Sequence, residues 1–229
     1  MASETSESND DGLISVIIPT RNEPLIQLLV DQIHRFLSST NHEIVVVDKS
    51  NIPQKLESVR VVAQRSTGLG KAVLEGLAVV RGEWVAVMDG DCSHRPEDLR
   101  EMIKLAFNSN LDFVLGSRYV KGGKNMDVPS RRITSKFFNS LARLIMGIKL
   151  SDPMSGLLVA KTRVFRDVSL SPIGYKINLE LVCKALRLGL RGAEVPIVFT
   201  ARRSGESKAG VHEGIRTLAY ILAIRFREE

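Results

Sequence analysis

Short apolar runs alternate with helical stripes along the first half of the chain. Ile14 to Ile18 ends at Pro19, and Glu43 to Val47 ends at Asp48. Between them Leu25, Ile26, Leu28, Leu29, Ile33 and Leu37 recur at helical spacing, which predicts strand, helix, strand. The pattern repeats with a strand at 59–62, a helix at 69–80, a strand at 84–88, a helix at 96–107 opened by Pro96, and a strand at 112–115. Continuous apolar strands joined by helical crossovers imply an α/β fold, a mainly parallel sheet with helices on both faces.

After Gly116 the texture changes. A Gly- and Lys-rich loop at Lys121–Lys124 leads into a basic helix over 131–148, a turn at Asp152–Gly156 and a strand at 157–160. A helix at 177–188 and a strand at 193–199 follow. On the basic helix Ile133, Phe137, Leu141, Leu144, Ile145 and Ile148 share one side, while Arg132, Lys136, Asn139 and Arg143 share the other. Such a helix either lies in a lipid interface or turns its apolar stripe to the core. No stretch approaches the roughly 18 to 20 apolar residues of a membrane span. The longest candidate, Leu218–Ile224, is flanked by Arg216 and Arg225.

Composition sharpens this division. The chain has 229 residues, 44% hydrophobic and 25% charged, which suits one sizeable core. Residues 1–12 carry Glu4, Glu7, Asp10 and Asp11 with almost nothing apolar, and are expected to form a disordered acidic tail without a secretory signal. Cys92 and Cys183 are too few for a disulfide framework. Residues 1–115 hold 11 Lys and Arg against 17 Asp and Glu, whereas 116–229 hold 21 against 9. The second half therefore calls for an anionic partner. Nucleic acid fits poorly, because 5% aromatic content leaves few stacking platforms and no recognised motif is present.

Candidate chemistry collects just after the strands, where open parallel sheets bind ligands. Pro19-Thr-Arg-Asn-Glu-Pro24 follows the first strand, where a dinucleotide site would need Gly-x-Gly-x-x-Gly. Asp48 follows the second, and Asp89-Gly-Asp91 follows the fourth. Carboxylates repel a diphosphate directly, but a Mg²⁺ or Mn²⁺ ion between them accepts phosphate oxygens on its remaining positions. An isolated Asp-x-Asp more often caps a helix. Here the apolar strand before it, the Pro-led helix after it and Gly90 in the bend favour metal. Gly68-Leu-Gly-Lys71 lacks P-loop spacing, and its Lys71 or Arg65 is expected near nucleotide phosphates. Arg118, then Arg131, Arg132 and Ser135, then Arg202, Arg203 and Lys208 form three clusters suited to a phosphate. His94 beside the Asp pair would serve as metal ligand or base, but lone histidines are usually structural, and it receives no role.

In this order Ser15-Val-Ile-Ile-Pro-Thr-Arg-Asn-Glu23, Gly68-Leu-Gly70, Val87-Met-Asp-Gly-Asp91 with His94-Arg-Pro-Glu97, Gly116-Ser-Arg-Tyr119, Asp152-Pro-Met-Ser-Gly156 and Arg203-Ser-Gly-Glu-Ser-Lys208 resemble the dolichol-phosphate mannose synthases. These are polyprenyl-phosphate glycosyltransferases of family 2, and the resemblance covers nearly the whole ordered chain. It implies a GT-A fold with a catalytic domain over 13–211 and an amphipathic helix over 212–229 at a membrane interface. It implies transfer of mannose from GDP-mannose to dolichyl or polyprenyl phosphate, with inversion, on the cytoplasmic face of a membrane. Pro19, Arg21, Glu23, Asp48 and Lys71 would contact the nucleotide sugar together with Asp89, Gly90 and Asp91, the two carboxylates holding Mg²⁺ or Mn²⁺. Arg118, Arg131, Ser135, Arg202 and Lys208 would surround the acceptor phosphate, with Arg118 and Arg131 joining the two carboxylates in catalysis. Three positions depart from the pattern: Arg21 replaces Tyr, Lys49 replaces a second Asp, and Ser93 replaces Gln in the metal shell. They bear on base and sugar preference more than on reaction class, so transfer of glucose or another sugar stays an alternative. A hydroxyl acceptor with Asp152 as its base and a non-catalytic basic membrane- or nucleic-acid-binding module are the others. A membrane-anchoring subunit, a purely peripheral enzyme and a truncated chain are equally compatible with the sequence.

Overall fold

The computed structural model describes residues 12–52, 54–171, 176–201 and 211–226. Strand β1 (Ile14–Thr20) is buried at every position, which explains why its sequence shows no alternation. Helix α1 (Ile26–Phe36) returns the chain to β2 (His42–Asp48), which pairs with β1 in parallel, and β3 (Arg60–Ala63) adds to the outer side of β2. Helix α2 (Leu69–Leu77) then leads across to β4 (Trp84–Val87), the neighbour of β1 on its other side. Helix α3 (Pro96–Phe107) and β5 (Phe113–Ser117) complete the predicted alternation, with Pro96 in the first turn where its missing N–H costs nothing.

The second half is woven back into the same sheet. A short β6 (Lys124–Asn125) precedes α4 (Pro129–Met146), and β7 (Leu158–Lys161) inserts antiparallel between β4 and β5. Helices α5 (Thr162–Asp167) and α6 (Ile177–Arg187) lead to β8 (Gly192–Pro196), parallel to β5. The strand order is β3-β2-β1-β4-β7-β5-β8. The run expected as one strand over 193–199 is two strands: β8 stops at Pro196, and β9 (Val198–Phe199) joins β6 in a separate two-stranded ribbon. The last bond to β5 is Ile197 N to Ser117 O at 3.1 Å; Val198 N then goes to Asp98 Oδ2 at 2.9 Å and Ile197 O accepts Lys124 N at 2.9 Å, which turns the chain into the ribbon. Helix α7 (Val211–Phe226) closes the described chain.

Two apolar layers sandwich the sheet. Ile14, Val16 and Ile18 face α1 and α3, while Ile17 shares the other layer with α2, α6 and α7. Each such side chain contributes about 1.5–3 kcal/mol on full burial. No helix among the described residues is long and apolar enough to cross a membrane.

Helix α4 resolves the choice left open by its sequence. Its buried residues are Asn139, Ala142 and Met146, whereas Ile133 (70%), Phe137 (60%) and Leu144 (80%) are exposed. The helix is anchored through polar contacts: Tyr119 Oη donates to Ser135 Oγ at 2.9 Å, and Met154 N donates to Asn139 Oδ1 at 3.2 Å. Half of the apolar stripe is therefore left facing solvent, while Leu141, Ile145 and Ile148 are half-buried, the last two against the core.

Candidate functional site

The carboxyl ends of β1, β2 and β4 lie side by side, and the acidic residues sit there. Asp48 is 7% exposed, and its Oδ1 accepts bonds from Thr20 Oγ1 (2.9 Å), Ser50 N (3.1 Å) and Ser50 Oγ (2.6 Å). Pro19 is buried beside it in register with Val47, Glu23 is half-buried, and Arg21 is exposed. Lys49 Nζ reaches Gln64 O at 3.2 Å, so this unusual cation joins two loops of the nucleotide end. Lys71 is exposed on α2 and lines a cavity of about 500 Å³ with Ser66, Glu75, Leu170 and Ser171.

Gly90 is needed here for space. Its φ is not positive, but a Cβ would meet Thr20 Cγ2 at 2.8 Å; the left-handed residue of this turn is Cys92, at φ 58°. Asp91 is 6% exposed and its Oδ1 accepts both Ser93 N (3.0 Å) and Ser93 Oγ (2.5 Å). Asp89 keeps 27% of its side chain exposed, with Oδ2 3.5 Å from Nε2 of the buried His94. No group of three His, Cys, Asp or Glu residues converges as a preformed metal site among the described residues. The donor set is hard oxygen, which fits Mg²⁺ or Mn²⁺ completed by phosphate oxygens.

The basic half meets this acidic end through a line of ring and guanidinium contacts. The His94 ring packs edge-on against Phe199, centroids 5.2 Å apart at 71°. The Arg118 guanidinium lies 5.2 Å from the Phe199 ring and 5.3 Å from that of Tyr119. Arg118 also donates to Asp152 twice at 2.7 Å, and its backbone N donates to the same carboxylate at 3.0 Å. Burial opposes the Arg118 charge, but the bonds and charge of Asp152, helped by Tyr119 and Asp89, outweigh it and hold Arg118 above its usual pKa. Asp152 is fully buried, and Glu194 positions its loop by accepting Ser151 N (2.6 Å) and Asp152 N (2.8 Å).

Beyond Arg118 opens a cavity of about 640 Å³ lined by Tyr119, Lys124, Arg132, Lys136 and Arg143, with no carboxylate among its described lining residues. Three of its cations, Arg132, Lys136 and Arg143, are those the sequence set on the polar side of α4, and of these only Arg132 was expected near a phosphate. Arg131 is turned instead to Asp127, at 3.4 Å, and lies off this lining. Ser135 holds Tyr119 at the cavity wall. Arg202 and Lys208 lie outside the described residues. The chain leads to them from Thr200, whose N donates to Ser93 O at 3.0 Å, directly beside the Asp pair.

Sequence reasoning left Tyr119, Phe199, Glu194, Lys136 and Arg143 without a role at the site. For the two α4 cations a signal existed, since spacings of four and seven residues from Arg132 and Lys136 repeat one helix face. For Phe199 and Glu194 none did, because their roles arise from contacts between distant segments.

The profile of glycosyl transferase family 2 matches residues 15–169. Over 209 residues the chain is 36% identical to a dolichol-phosphate mannosyltransferase of Pyrococcus furiosus, covering 85% of this chain and 58% of that protein. It is 35% identical to a polyprenol monophosphomannose synthase of Mycolicibacterium smegmatis, covering 84% and 79% of the two chains. The chain thus spans under two thirds of the archaeal relative. Among solved structures, glucosyl-3-phosphoglycerate synthase of Mycobacterium tuberculosis, in complex with Mn²⁺, UDP-glucose and glycerol 3-phosphate, superposes with a TM-score of 0.71 at 20% identity. That alignment covers 93% of this chain and 80% of the synthase, and gives a shared GT-A fold. The chain belongs to glycosyl transferase family 2.

Proposed function

We propose that this glycosyltransferase moves mannose from GDP-mannose onto dolichyl or another polyprenyl phosphate at a membrane surface. The observation that carries the proposal is the run Asp89, His94, Phe199, Arg118, which joins an acidic strand end to a cationic cavity. The names of the curated relatives support the same acceptor and sugar.

Pro19, Arg21, Glu23, Asp48 and Lys71 bind the nucleotide sugar beside Gly90, while Asp89 and Asp91 hold Mg²⁺ or Mn²⁺ against the diphosphate. A bound divalent ion supplies charge stabilisation to the departing nucleoside diphosphate. Ser135, Arg202 and Lys208 frame the acceptor phosphate with Arg118; Arg132, Lys136 and Arg143 extend this set, and Arg131 joins it by releasing Asp127. A phosphate monoester is already anionic near neutral pH, so its oxygen needs orientation and desolvation rather than a general base. Asp152, the obvious base for a hydroxyl acceptor, is occupied by Arg118, which supports a phosphate nucleophile. Direct displacement inverts the anomeric centre and gives a β-linked product from an α-linked donor.

The exposed stripe of α4 supports action at the bilayer. Leaving Ile133, Phe137 and Leu144 in water forgoes about 1.5–3 kcal/mol each, which a lipid interface recovers. On α7, Ile215 and Phe226 add further exposed apolar surface, at 62% and 64%. We propose that 13–211 forms the catalytic body and that α7, with any anchoring partner, assists attachment at the cytoplasmic face.

The test is a donor panel of GDP-mannose, GDP-glucose, UDP-glucose and UDP-mannose with dolichyl phosphate, with and without Mn²⁺, followed by lipid extraction. Metal-dependent label from GDP-mannose in the lipid fraction is expected. Label reaching only free sugar or protein acceptors overturns the acceptor assignment, and full activity in chelator overturns the metal.

A further inference from the structure

His94 is 2% exposed, and neither of its ring nitrogens has a hydrogen-bond partner. Burying an unsatisfied polar group costs about 1–3 kcal/mol, so a histidine kept in this state calls for a functional reason. Its surroundings supply one. Nε2 lies 3.5 Å from Asp89 Oδ2, and the ring is braced from the side by Phe199. Gly156, at the end of the turn that begins with Asp152, closes over the gap between them: a Cβ there would lie 2.3 Å from Asp89 Oδ2 and 2.9 Å from His94 Nε2. A gap so tightly covered has room for an N–H directed at the carboxylate and none for a cation.

The neighbouring carboxylate has its own buried partner. Ser93, fully buried, gives both its N–H and its hydroxyl to Asp91. The short side chain at 93 is thereby committed to Asp91, and His94 is the buried donor next to Asp89. We infer that His94 is a positioning residue: its Nε2–H holds Asp89 Oδ2, so that the other carboxylate oxygen is presented to the cation-bridged diphosphate. This rests on the metal assignment proposed above for Asp89. Outer-shell partners of this kind orient a ligand without touching the metal.

The experiment is a Mn²⁺ titration read by electron paramagnetic resonance, with and without GDP. His94→Leu is expected to weaken Mn²⁺ binding about 10- to 100-fold, whereas His94→Gln, whose amide nitrogen falls near the Nε2 position, stays within about 3-fold of the unsubstituted protein. Wild-type affinity in His94→Leu, or equal loss in both variants, overturns the inference. A nitrogen coupling to bound Mn²⁺ that disappears in His94→Leu also overturns it, since His94 would then be a ligand. Nitrogen-15 spectra of the unsubstituted protein test the same point should His94→Leu fail to fold. A proton on Nε2 is expected, and a bare Nε2 with the proton on Nδ1 is contradictory. Asp89→Ala separates the two layers: unchanged Mn²⁺ binding there sinks the metal assignment itself, while loss there with none in His94→Leu sinks only the role of His94.

Discussion

Asp112 shows how a single carboxylate in this protein is held by its partners. It precedes β5 and accepts Arg191 N at 3.0 Å, Arg163 Nη2 at 2.7 Å and Lys161 Nζ at 3.2 Å, fastening β5, β7 and the loop before β8 together. Burial alone would raise its pKa, but these donors and the Lys161 charge outweigh burial and lower it from 3.8 to about 2. A depressed folded pKa stabilises the protein above the unfolded value, and that contribution is lost as pH falls through the folded one. Asp112→Asn is therefore expected to cost about 2 kcal/mol at pH 7 by urea unfolding, with the gap to the unsubstituted protein narrowing between about pH 4 and 2. A gap independent of pH would contradict the charged pairing. At this scale the sequence was legible where chemistry is local, as at Asp89-Gly-Asp91. It was illegible where a side chain answers to a distant segment: His94 gains its setting from Gly156 and Phe199, and Arg118 gains its own from Asp152. Arg131 and Arg132 are adjacent in sequence, yet one pairs with Asp127 and the other lines the cavity.

Helix α4 carries the same lesson at the level of elements. Its amphipathic pattern was plain, and its observed bounds, Pro129–Met146, differ from the expected 131–148 by two residues at each end. Which face would be buried could not be read, because Ser135 and Asn139 anchor the helix through hydrogen bonds and Ala142 and Met146 enter the core, while Ile133, Phe137 and Leu144 remain outside. The split of the expected last strand has a comparable origin, in the competition of Asp98 for Val198 N. The exposed stripe leads to a direct expectation. Replacing Phe137 and Leu144 together by Glu should lower binding to dolichyl-phosphate-containing vesicles at least about 10-fold, from lost apolar burial alone. Melting temperature should stay nearly unchanged, since both side chains are already exposed. Sedimentation with vesicles and a thermal melt check the pair of outcomes, and undiminished vesicle binding would remove α4 from the interface.

Across the whole molecule, the parallel half was readable because β1, β4 and β5 are buried at every position and helices α1, α2 and α3 make the crossovers between strands, the exposed edge strand β3 being reached by a loop. The antiparallel insertion of β7 between β4 and β5 left no comparable mark in the sequence. It matters, because its preceding turn carries Asp152 and Gly156 to the acidic strand ends and sets the cationic cavity beside them. The central claim is that these two regions serve one transfer reaction, the cavity taking the acceptor phosphate. Initial-rate measurement with Arg132→Ala and Lys136→Ala combined tests it most directly. Loss of two charge-assisted contacts should raise KM for polyprenyl phosphate at least about 10-fold while leaving KM for the sugar nucleotide within about 2-fold. An unchanged KM for the lipid phosphate, or an equal rise for both substrates, would contradict the assignment of that cavity to the acceptor.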